Sequence, residues 1–338
     1  MRAVTTTELH DEIWQAIDGK TKPLGALGRI EDLAAQIGTV LGTTRPEVEA
    51  CALTIFAADH GIAEDGVSAF PQAVTRQMVL NFLAGGAAAT VMAASLGIEV
   101  QVVDAGVAGE PVADPRLVSR RIGAGTGSFL RGPAMSGAER DAALARGREI
   151  GGASPGEVAA FGEMGIGNTA TAALLAHRLT GLPLRSLVGR GTGLDVAGVD
   201  RKTAILAEAS ARVPGEPGVE VLLAEFGGFE ILMMAGAMMG AAEAGKLVLV
   251  DGYIATVAAL VAETLEPEAR PAMIFAHMSA EAGHGILLGH MAARPLLQLD
   301  MRIGEGTGAV LAWPLVKAAA AMLRDMASFE SAGVSGRS

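Results

Sequence analysis

The chain has a single cysteine, few aromatic residues (4%) and a modest share of charged ones (19%). One cysteine cannot form an internal disulfide. Cys51 lies in the apolar run CALTIF, where a buried and unreactive thiol is expected. A chain with so little cysteine is typical of a reducing compartment, and we expect it in the cytoplasm.

Basic residues are outnumbered by acidic ones. Lys and Arg total 26 against 37 Asp and Glu, which gives a formal net charge of −11. Nucleic-acid-binding proteins usually carry a basic surface, and this sequence contains no run of Lys or Arg. We therefore expect no nucleic-acid partner, and an anionic ligand would have to be held by local donors.

The sequence gives little sign of targeting or membrane segments. Its first residues, MRAVTTTELH, lack the apolar core of a signal peptide. Residues 77–98 carry no charge, but they include Asn81 and the pair Gly85 and Gly86, which predict a break between two buried helices. We expect no membrane partner.

Motifs of several enzyme classes are missing. The sequence has no P-loop GxxxxGK[ST], no HExxH and no cysteine–histidine cluster with zinc spacing. We therefore expect no metal and no cofactor. A metal site assembled from Asp59, His60 and His277 is kept as an alternative to hydrogen-bonded polar groups at strand ends. The role of Asp251, at another strand end, stays open.

Half of the residues are hydrophobic, and short apolar runs alternate with longer helical patterns. Apolar strands separated by helices indicate an α/β fold with a parallel sheet covered by helices on both faces. The predicted strands are 51–58, 98–104, 158–162, 184–188, 246–251 and 272–277. The predicted helices are 72–96, 137–150, 168–180, 200–211, 229–244, 252–265 and 308–325.

The two ends of the chain differ from its middle. Residues 1–45 predict two helices and no strand, and with part of the C-terminal helix they are expected to form a small helical domain. Residues 46–325 are expected to form the α/β catalytic domain, and 326–338 a frayed tail.

Glycine is abundant: the chain has 45, about 13% against a usual share of about 7%. The pattern Gly-x-Gly-Thr-Gly occurs at 123–127, 189–193 and 304–308, and a fourth glycine-rich segment, 162–169, directly precedes a helical pattern. Glycine lets the backbone approach a ligand closely, and a helix N-terminus favours an anion. Any one such loop is more often a plain turn, but four of them favour a phosphate-bearing ligand.

Two carboxylates and one lysine lie in or beside these loops. Glu305, within GEGTG, is a candidate general base, because partial desolvation raises the pKa of a carboxyl. An acid that favours the dipole at a helix start is an equal alternative for Glu305 and for Glu163. Lys202 could reach a phosphate as a point charge or be a solvated lysine at a helix start.

The segment 165–170, GIGNTA, matches the dinucleotide-binding fingerprint GxGxxA. The match is weak, because the strand before it is short and the next acidic residue is Asp195. A nucleotide-dependent oxidoreductase is kept as the alternative function.

Eight sequence blocks, in order along nearly the whole chain, resemble one enzyme family. The blocks are 22–28 (KPLGALG) with Glu31, 58–61 (ADHG), 66–71 (GVSAFP), 81–86 (NFLAGG), 162–169 (GEMGIGNT), 189–195 (GRGTGLD), 225–230 (EFGGFE) and 301–309 (MRIGEGTGA). Together they resemble the nicotinate-nucleotide–dimethylbenzimidazole phosphoribosyltransferases, enzymes of cobalamin nucleotide-loop assembly.

The resemblance implies a homodimer whose subunits have a large Rossmann-like domain and a small helical one. It implies that nicotinate mononucleotide and 5,6-dimethylbenzimidazole give α-ribazole 5′-phosphate and nicotinate, with inversion at ribose C1′. It makes Glu305 the catalytic base and Glu163 the second acid. It assigns the nucleotide phosphate to Gly165, Ile166, Gly167, Asn168, Gly191, Thr192, Gly193 and Lys202, and the aromatic base to Ser68 and Gln77.

Two positions depart from the family pattern. Ala26 stands where many relatives have Ser, and Met278 stands where Arg is frequent. Both departures bear on the preference for the aromatic base and on local packing. Relatives differ in the base that they use, so a purine or phenolic base is kept as an alternative acceptor.

Overall fold

The computed structural model describes residues 6–335. The outermost parts of the expected helical segment and of the expected tail, residues 1–5 and 336–338, lie outside the described residues.

Within residues 6–335, six parallel strands form the main sheet in the order β3-β2-β1-β4-β5-β6. In such an order successive strands are added to one side of β1 and then, from β4 on, to its other side; ligands bind at this switch point between β1 and β4, outside the carboxyl ends of the strands. A short pair, β7 and β8, lies beyond the edge strand β6. The strands are β1 (Cys51–Ala58), β2 (Glu99–Gly106), β3 (Leu117–Ser119), β4 (Val158–Met164), β5 (Leu247–Val250), β6 (Met273–Phe275), β7 (His277–Met278) and β8 (Leu297–Gln298).

Helices pack on both faces of the sheet. Alternate side chains of β1 enter two separate cores: Phe56 belongs to one, and Leu53 and Ile55 to the other. Short 3₁₀ helices cover Gly61–Asp65 and Pro267–Ala272. The α-helices are α1 (Thr6–Asp18), α2 (Arg29–Val40), α3 (Ala73–Ala84), α4 (Ala88–Ser95), α5 (Gly137–Gly152), α6 (Asn168–Thr180), α7 (Leu184–Leu187), α8 (Val196–Ala211), α9 (Val219–Phe226), α10 (Phe229–Glu243), α11 (Tyr253–Leu265), α12 (His284–His290) and α13 (Thr307–Asp325).

The predicted α/β fold with a parallel sheet is confirmed, but one predicted strand is wrong. In place of the strand predicted at 184–188, Leu184–Leu187 form the single-turn helix α7. In the sheet β4 pairs directly with β5, so no position remains between them for a strand from this part of the chain. Strands β3 and β8, of three and two residues, have too short an apolar pattern to be recognised in the sequence.

The uncharged segment is divided as its glycines predict. Residues Ala73–Ser95 are long and apolar enough, by length and composition alone, to cross a membrane. Gly85, at φ +77°, instead ends α3, and α4 begins at Ala88. Each helix buries one side, yet Leu80 and Val91 remain 47% and 55% exposed.

The ends of the described chain meet each other. Helices α1 and α2 share a core with one face of the sheet and with α13. The start of the expected tail contacts the N-terminal segment: Ser328 makes an antiparallel bridge with Lys20, and the Lys20 ammonium donates to the carbonyl of Met326 (2.7 Å). Lys20 is buried just after the end of α1, and Met326 directly follows α13, so this hydrogen bond joins the ends of the two helices.

Candidate active site

A cavity of about 630 Å³ opens at the carboxyl ends of β4 and β5. Its wall brings together segments far apart in sequence, including the glycine-rich loops that contain Glu163, Gly191 and Glu305. The cavity therefore lies where the strand order predicts a ligand crevice.

Glu305 enters this cavity on an unusual backbone. Its φ is +64°, between Gly304 at +77° and Gly306 at +85°. Residues with a side chain rarely adopt this left-handed conformation, and such strain is characteristic of functional sites. Burial raises the pKa of the Glu305 carboxyl to about 7. A hydrogen bond donated by the backbone N–H of Ala89 partly opposes this rise, because it stabilises the charged carboxylate. Oε2 of Glu305 has no hydrogen-bond partner among residues 6–335.

Two neighbours hold the Glu305 loop in place. Gly162, in β4, lies so close beneath it that a Cβ there would be 2.3 Å from the carbonyl carbon of Glu305. Asp251, directly after β5, accepts hydrogen bonds from the backbone N–H groups of Gly306 (3.1 Å) and Ala309 (3.0 Å). Asp251 thereby caps α13 from another part of the chain, which gives this strand-end acid a structural role.

Glu163 is the second acid of the cavity. Its Oε2 accepts a hydrogen bond from the side-chain amide of Asn168, and its Oε1 faces Gly304. Burial, with the nearby carboxylates of Glu230, Asp251 and Glu305, raises the pKa of Glu163 well above its usual value. Closely spaced acids cannot all ionise, so the site favours one charged and one neutral carboxyl at its centre.

The loop 165–168 leads into the N-terminus of α6. Gly165, Ile166 and Asn168 line the cavity, while Gly167, at φ +99°, packs on His60 behind the wall. The N–H of Ile166 donates to Oγ1 of Thr75 (3.0 Å) and is therefore already used. The expected phosphate contacts of this loop thus depend on the start of α6, including Thr169, which also lines the cavity.

The loop 189–193 forms another side of the cavity through Gly191 and Thr192. The N–H of Gly191 donates to Oε1 of the buried Glu281 (3.0 Å), so this N–H is already used as well. The guanidinium of Arg302 donates to the Gly191 carbonyl (3.2 Å) and brings a positive charge to the cavity wall. Gly193, at φ +131°, turns the chain towards α8.

Lys202 lies buried on α8, behind this loop. Its ammonium donates to Oγ1 of Thr169 (2.8 Å), and a Cβ on Gly191 would be 3.6 Å from it. Burial lowers the pKa of Lys202 to about 8, partly offset by the charge of Glu281. The solvated-lysine interpretation is therefore wrong. The ammonium does not line the cavity itself but lies behind Thr169, which does.

The residues expected to bind the aromatic base lie at the rim or outside it. The Ser68 hydroxyl is 3.5 Å from that of Thr192, which lines the cavity. Gln77 is exposed on α3, outside the cavity wall. Phe70, between them in sequence, lines the cavity although half of it is exposed.

The acids and histidines at the ends of β1 and β6 fall into two separate groups. His60 contacts Glu230 through Nε2 (2.6 Å) and Thr171 through Nδ1 (2.8 Å), which occupies both ring nitrogens. His277 instead lies beside Asp251, at 3.8 Å. In the described part of the chain no three His, Cys, Asp or Glu side chains are grouped to hold a metal. The alternative metal site built from Asp59, His60 and His277 is not formed.

The dinucleotide-binding interpretation is also not supported at Asp195, the next acidic residue after the GxGxxA segment. Asp195 accepts a hydrogen bond from the N–H of Gly198 (2.7 Å) and caps α8, so its carboxylate already has a structural partner. Two contributors to the cavity, Glu281 and Arg302, were not among the predicted site residues. Arg302 lies within the family block 301–309, which indicated no role for it, and Glu281 lies in no motif with a mechanism of its own.

Comparison with known proteins is consistent with this geometry. A family model described as "Phosphoribosyltransferase" matches residues 4–334. A nicotinate-nucleotide–dimethylbenzimidazole phosphoribosyltransferase of Aromatoleum aromaticum is 53% identical over 329 residues, covering 96% of this chain and 95% of its own. One from Cupriavidus necator is 53% identical over 330 residues, covering 97% and 95%.

Solved structures give the same result. The crystal structure of CobT from Thermus thermophilus superposes with a TM-score of 0.93 at 43% identity, covering 98% of this chain and 100% of that one. The family model matches almost the whole chain, and the two curated relatives are 53% identical to it. The chain belongs to the family of nicotinate-nucleotide–dimethylbenzimidazole phosphoribosyltransferases.

Proposed function

We propose that this chain transfers the phosphoribosyl group of nicotinate mononucleotide to 5,6-dimethylbenzimidazole, with Glu305 as general base. The reaction gives α-ribazole 5′-phosphate and nicotinate, a step of cobalamin biosynthesis. The observation that carries the proposal is the Glu305 carboxyl itself: buried, with a free oxygen and a pKa of about 7, in the cavity wall.

The chemistry needs one proton acceptor. One benzimidazole nitrogen attacks ribose C1′ from the face opposite nicotinate and forms the new C–N bond. The bond from C1′ to the pyridinium nitrogen breaks, and its electron pair stays on nicotinate, so the anomeric carbon inverts from β to α. The proton on the other benzimidazole nitrogen passes to Glu305. A positioned base with a pKa near the working pH contributes typically about 10²–10⁴-fold.

Glu163 supports this base by remaining neutral. Burial and the neighbouring carboxylates raise the pKa of Glu163, which favours its neutral form and leaves Glu305 to carry the negative charge at the centre of the cavity. Asn168 fixes the orientation of the Glu163 carboxyl, so that its other oxygen can contact the ribose.

The 5′-phosphate is assigned to the side of the cavity where cations and the start of α6 meet. Lys202 supplies a positive charge that holds the phosphate, directly or through Thr169. Arg302 supplies a second positive charge at the rim. Gly165 and Gly191, the glycines of the two loops that line the cavity, let the phosphate approach the backbone closely. Holding the phosphate aligns C1′ with the attacking nitrogen before reaction.

The aromatic base is assigned to the apolar part of the cavity. Phe70, Met301 and Ile303 line it, and a largely apolar slot suits a dimethylated ring. Ser68 remains an expected contact at the rim, and Gln77, which lies outside the cavity wall, an expected contact only by resemblance. The alternative acceptors, a purine or a phenolic base, would use the same slot.

We infer a homodimer in the cytoplasm. The exposed apolar residues Leu80 and Val91 lie on α3 and α4, within the uncharged segment 77–98, in a chain whose net charge is −11. An uncharged apolar face lets two identical acidic subunits meet without repulsion, and two-fold dimers are the commonest oligomers.

One assay tests the function. The protein is incubated with nicotinate mononucleotide and, in separate reactions, dimethylbenzimidazole, adenine and phenol, while nicotinate release and product mass are followed. The expected result is nicotinate release with formation of the α-anomeric ribazole phosphate. Release that needs NAD, or no release with any acceptor, would contradict the proposal.

A further inference from the structure

A second cavity, of about 420 Å³, lies between α2 and the edge strand β6. We call it the arginine cleft. It has its own wall, with no residue in common with the wall of the active-site cavity as described. Its floor includes Phe275 of β6, and Trp14 and His10 of α1 contribute to its wall.

The cleft concentrates positive charge in an acidic protein. Its described wall carries Arg29, Arg270 and Arg294 against one carboxylate, Asp32. This contrasts with the net charge of −11 for the whole chain. Burial and the charge of Arg29 lower the pKa of Arg270, so these like charges repel each other, and a further anion among them would relieve the repulsion.

The cations in the cleft are loosely paired. Asp32 is 3.6 Å from Arg29 and 3.4 Å from Arg294, while Arg270 is 3.5 Å from Glu263. Charge-assisted hydrogen bonds between guanidinium and carboxylate are usually about 2.7–2.9 Å. The buried Nε of Arg29 finds no acceptor within the described residues. The guanidinium groups thus have donor capacity that the chain itself does not use.

Aromatic rings accompany these cations. The guanidinium of Arg270 lies over the ring of Phe275, 4.8 Å from its centre. On the other wall, His10 and Trp14 stand edge to face, with ring centres 6.4 Å apart. Flat aromatic molecules pack favourably against such rings, and carboxylates pair with arginine in a two-point contact.

We propose that the arginine cleft binds a small aromatic carboxylate, whose carboxylate contacts Arg29 and Arg294 and whose ring packs beside Trp14. This site is separate from the active site, and the inference does not rest on the proposed function. Nicotinate is a suitable probe because nicotinamide has the same ring without the charge.

Trp14 provides a local reporter. The chain has two tryptophans, and the other, Trp313, is buried on α13, so Trp313→Phe leaves Trp14 as the single emitter. Titration of this variant with nicotinate should change the Trp14 fluorescence to saturation. Nicotinamide and inorganic phosphate should leave it unchanged over the same concentration range.

Charge-removing variants test the contact. Arg294→Gln should weaken nicotinate binding by about tenfold or more, because it removes a charged hydrogen-bond donor. Its side chain is 72% exposed, so the fold should tolerate the change; Arg29→Gln is the second variant. Arg116→Gln, at a side chain 63% exposed and paired with Asp114, is the matched control and should bind like the parent.

Three results would overturn the proposal. One is an equal response to nicotinamide, which would mean that the charge is not recognised. Another is an equal response to phosphate, which would mean a plain anion site. The third is unchanged nicotinate binding in both arginine variants. Because the readout is fluorescence at Trp14, failure here is distinguishable from failure of the transferase assay.

Discussion

Gly162 and Glu305 are in direct backbone contact: a Cβ added to Gly162 would be 2.3 Å from the carbonyl carbon of Glu305 and 2.4 Å from the N of Gly306. The sheet residue therefore sets the height of the loop that presents the proposed base. A glycine in β4, which by itself would weaken a strand, is thus explained by the residue above it.

Gly162→Ala should displace the Glu305 loop and reduce kcat by about 100-fold, since a shift of about 1 Å in a reacting group has an effect of that order. Steady-state kinetics with nicotinate mononucleotide and dimethylbenzimidazole measure this. Gly132→Ala, where a Cβ meets nothing within 4 Å, is the matched control. Equal kcat values for the two variants would mean that Gly162 does not position the base.

Glu305→Gln should lower turnover by at least about 100-fold while nicotinate mononucleotide still binds, because the amide keeps the shape of the side chain but cannot accept the proton. Calorimetric binding and turnover are measured on the same sample. Glu64→Gln, at a carboxylate whose side chain is 70% exposed, is the control. Near-normal turnover of Glu305→Gln would refute the role of Glu305.

The pH dependence of kcat/KM should reflect the ionisation of Glu305. Its pKa is about 7, and a general base must be deprotonated to act. The rate constant should therefore fall about tenfold per unit as pH drops below 7 and level off between pH 7 and 8, below the pKa of Lys202. A profile that is flat between pH 5.5 and 7, or one that Glu305→Gln leaves unchanged, would contradict this assignment.

Lys202→Met should raise the KM for nicotinate mononucleotide by about tenfold or more, while the activity on nicotinate riboside, which lacks the phosphate, should change little. Methionine has a similar length, so the buried volume is kept. Lys317→Met, on the exposed side of α13, serves as the control. An equal loss on both substrates would point to a structural role for Lys202.

Val91→Lys and Leu80→Lys should convert the inferred dimer to monomer, because each places a charge on the apolar face of α3 and α4. Sedimentation velocity measures the mass of each species. Val221→Lys changes a residue of similar exposure on α9 and should remain dimeric. A monomeric parent protein, or dimers in all three variants, would contradict this interface.

The active-site cavity shows where prediction from the sequence succeeds and where it stops. Glu163 and Glu305 could be singled out because each is an acid within a glycine-rich segment, a local pattern. Glu281 and Arg302 could not, since their contribution depends on contacts with Gly191, over a hundred residues earlier in the case of Arg302. The sequence also could not predict that Glu281 and Thr75 accept hydrogen bonds from the N–H groups of Gly191 and Ile166, because these partners are distant in the chain.

The same distinction holds for the fold. The apolar runs and glycine breaks determined a parallel α/β architecture and the division of 73–95 at Gly85, because periodicity and backbone freedom are local properties. Strand pairing is not local: residues 184–188 have a strand-like composition, yet β4 already pairs with β5, so they form α7.

The sequence by itself therefore determined the fold class and the residues with chemical potential, since composition, spacing and side-chain type are written in it. Only the tertiary structure decided which of them meet. It buried Lys202 beside Thr169 and lowered its pKa, and it placed Asp251 as the cap of α13. It also gathered arginines from three segments around one cleft, because desolvation and charge proximity depend on neighbours that are distant in the chain.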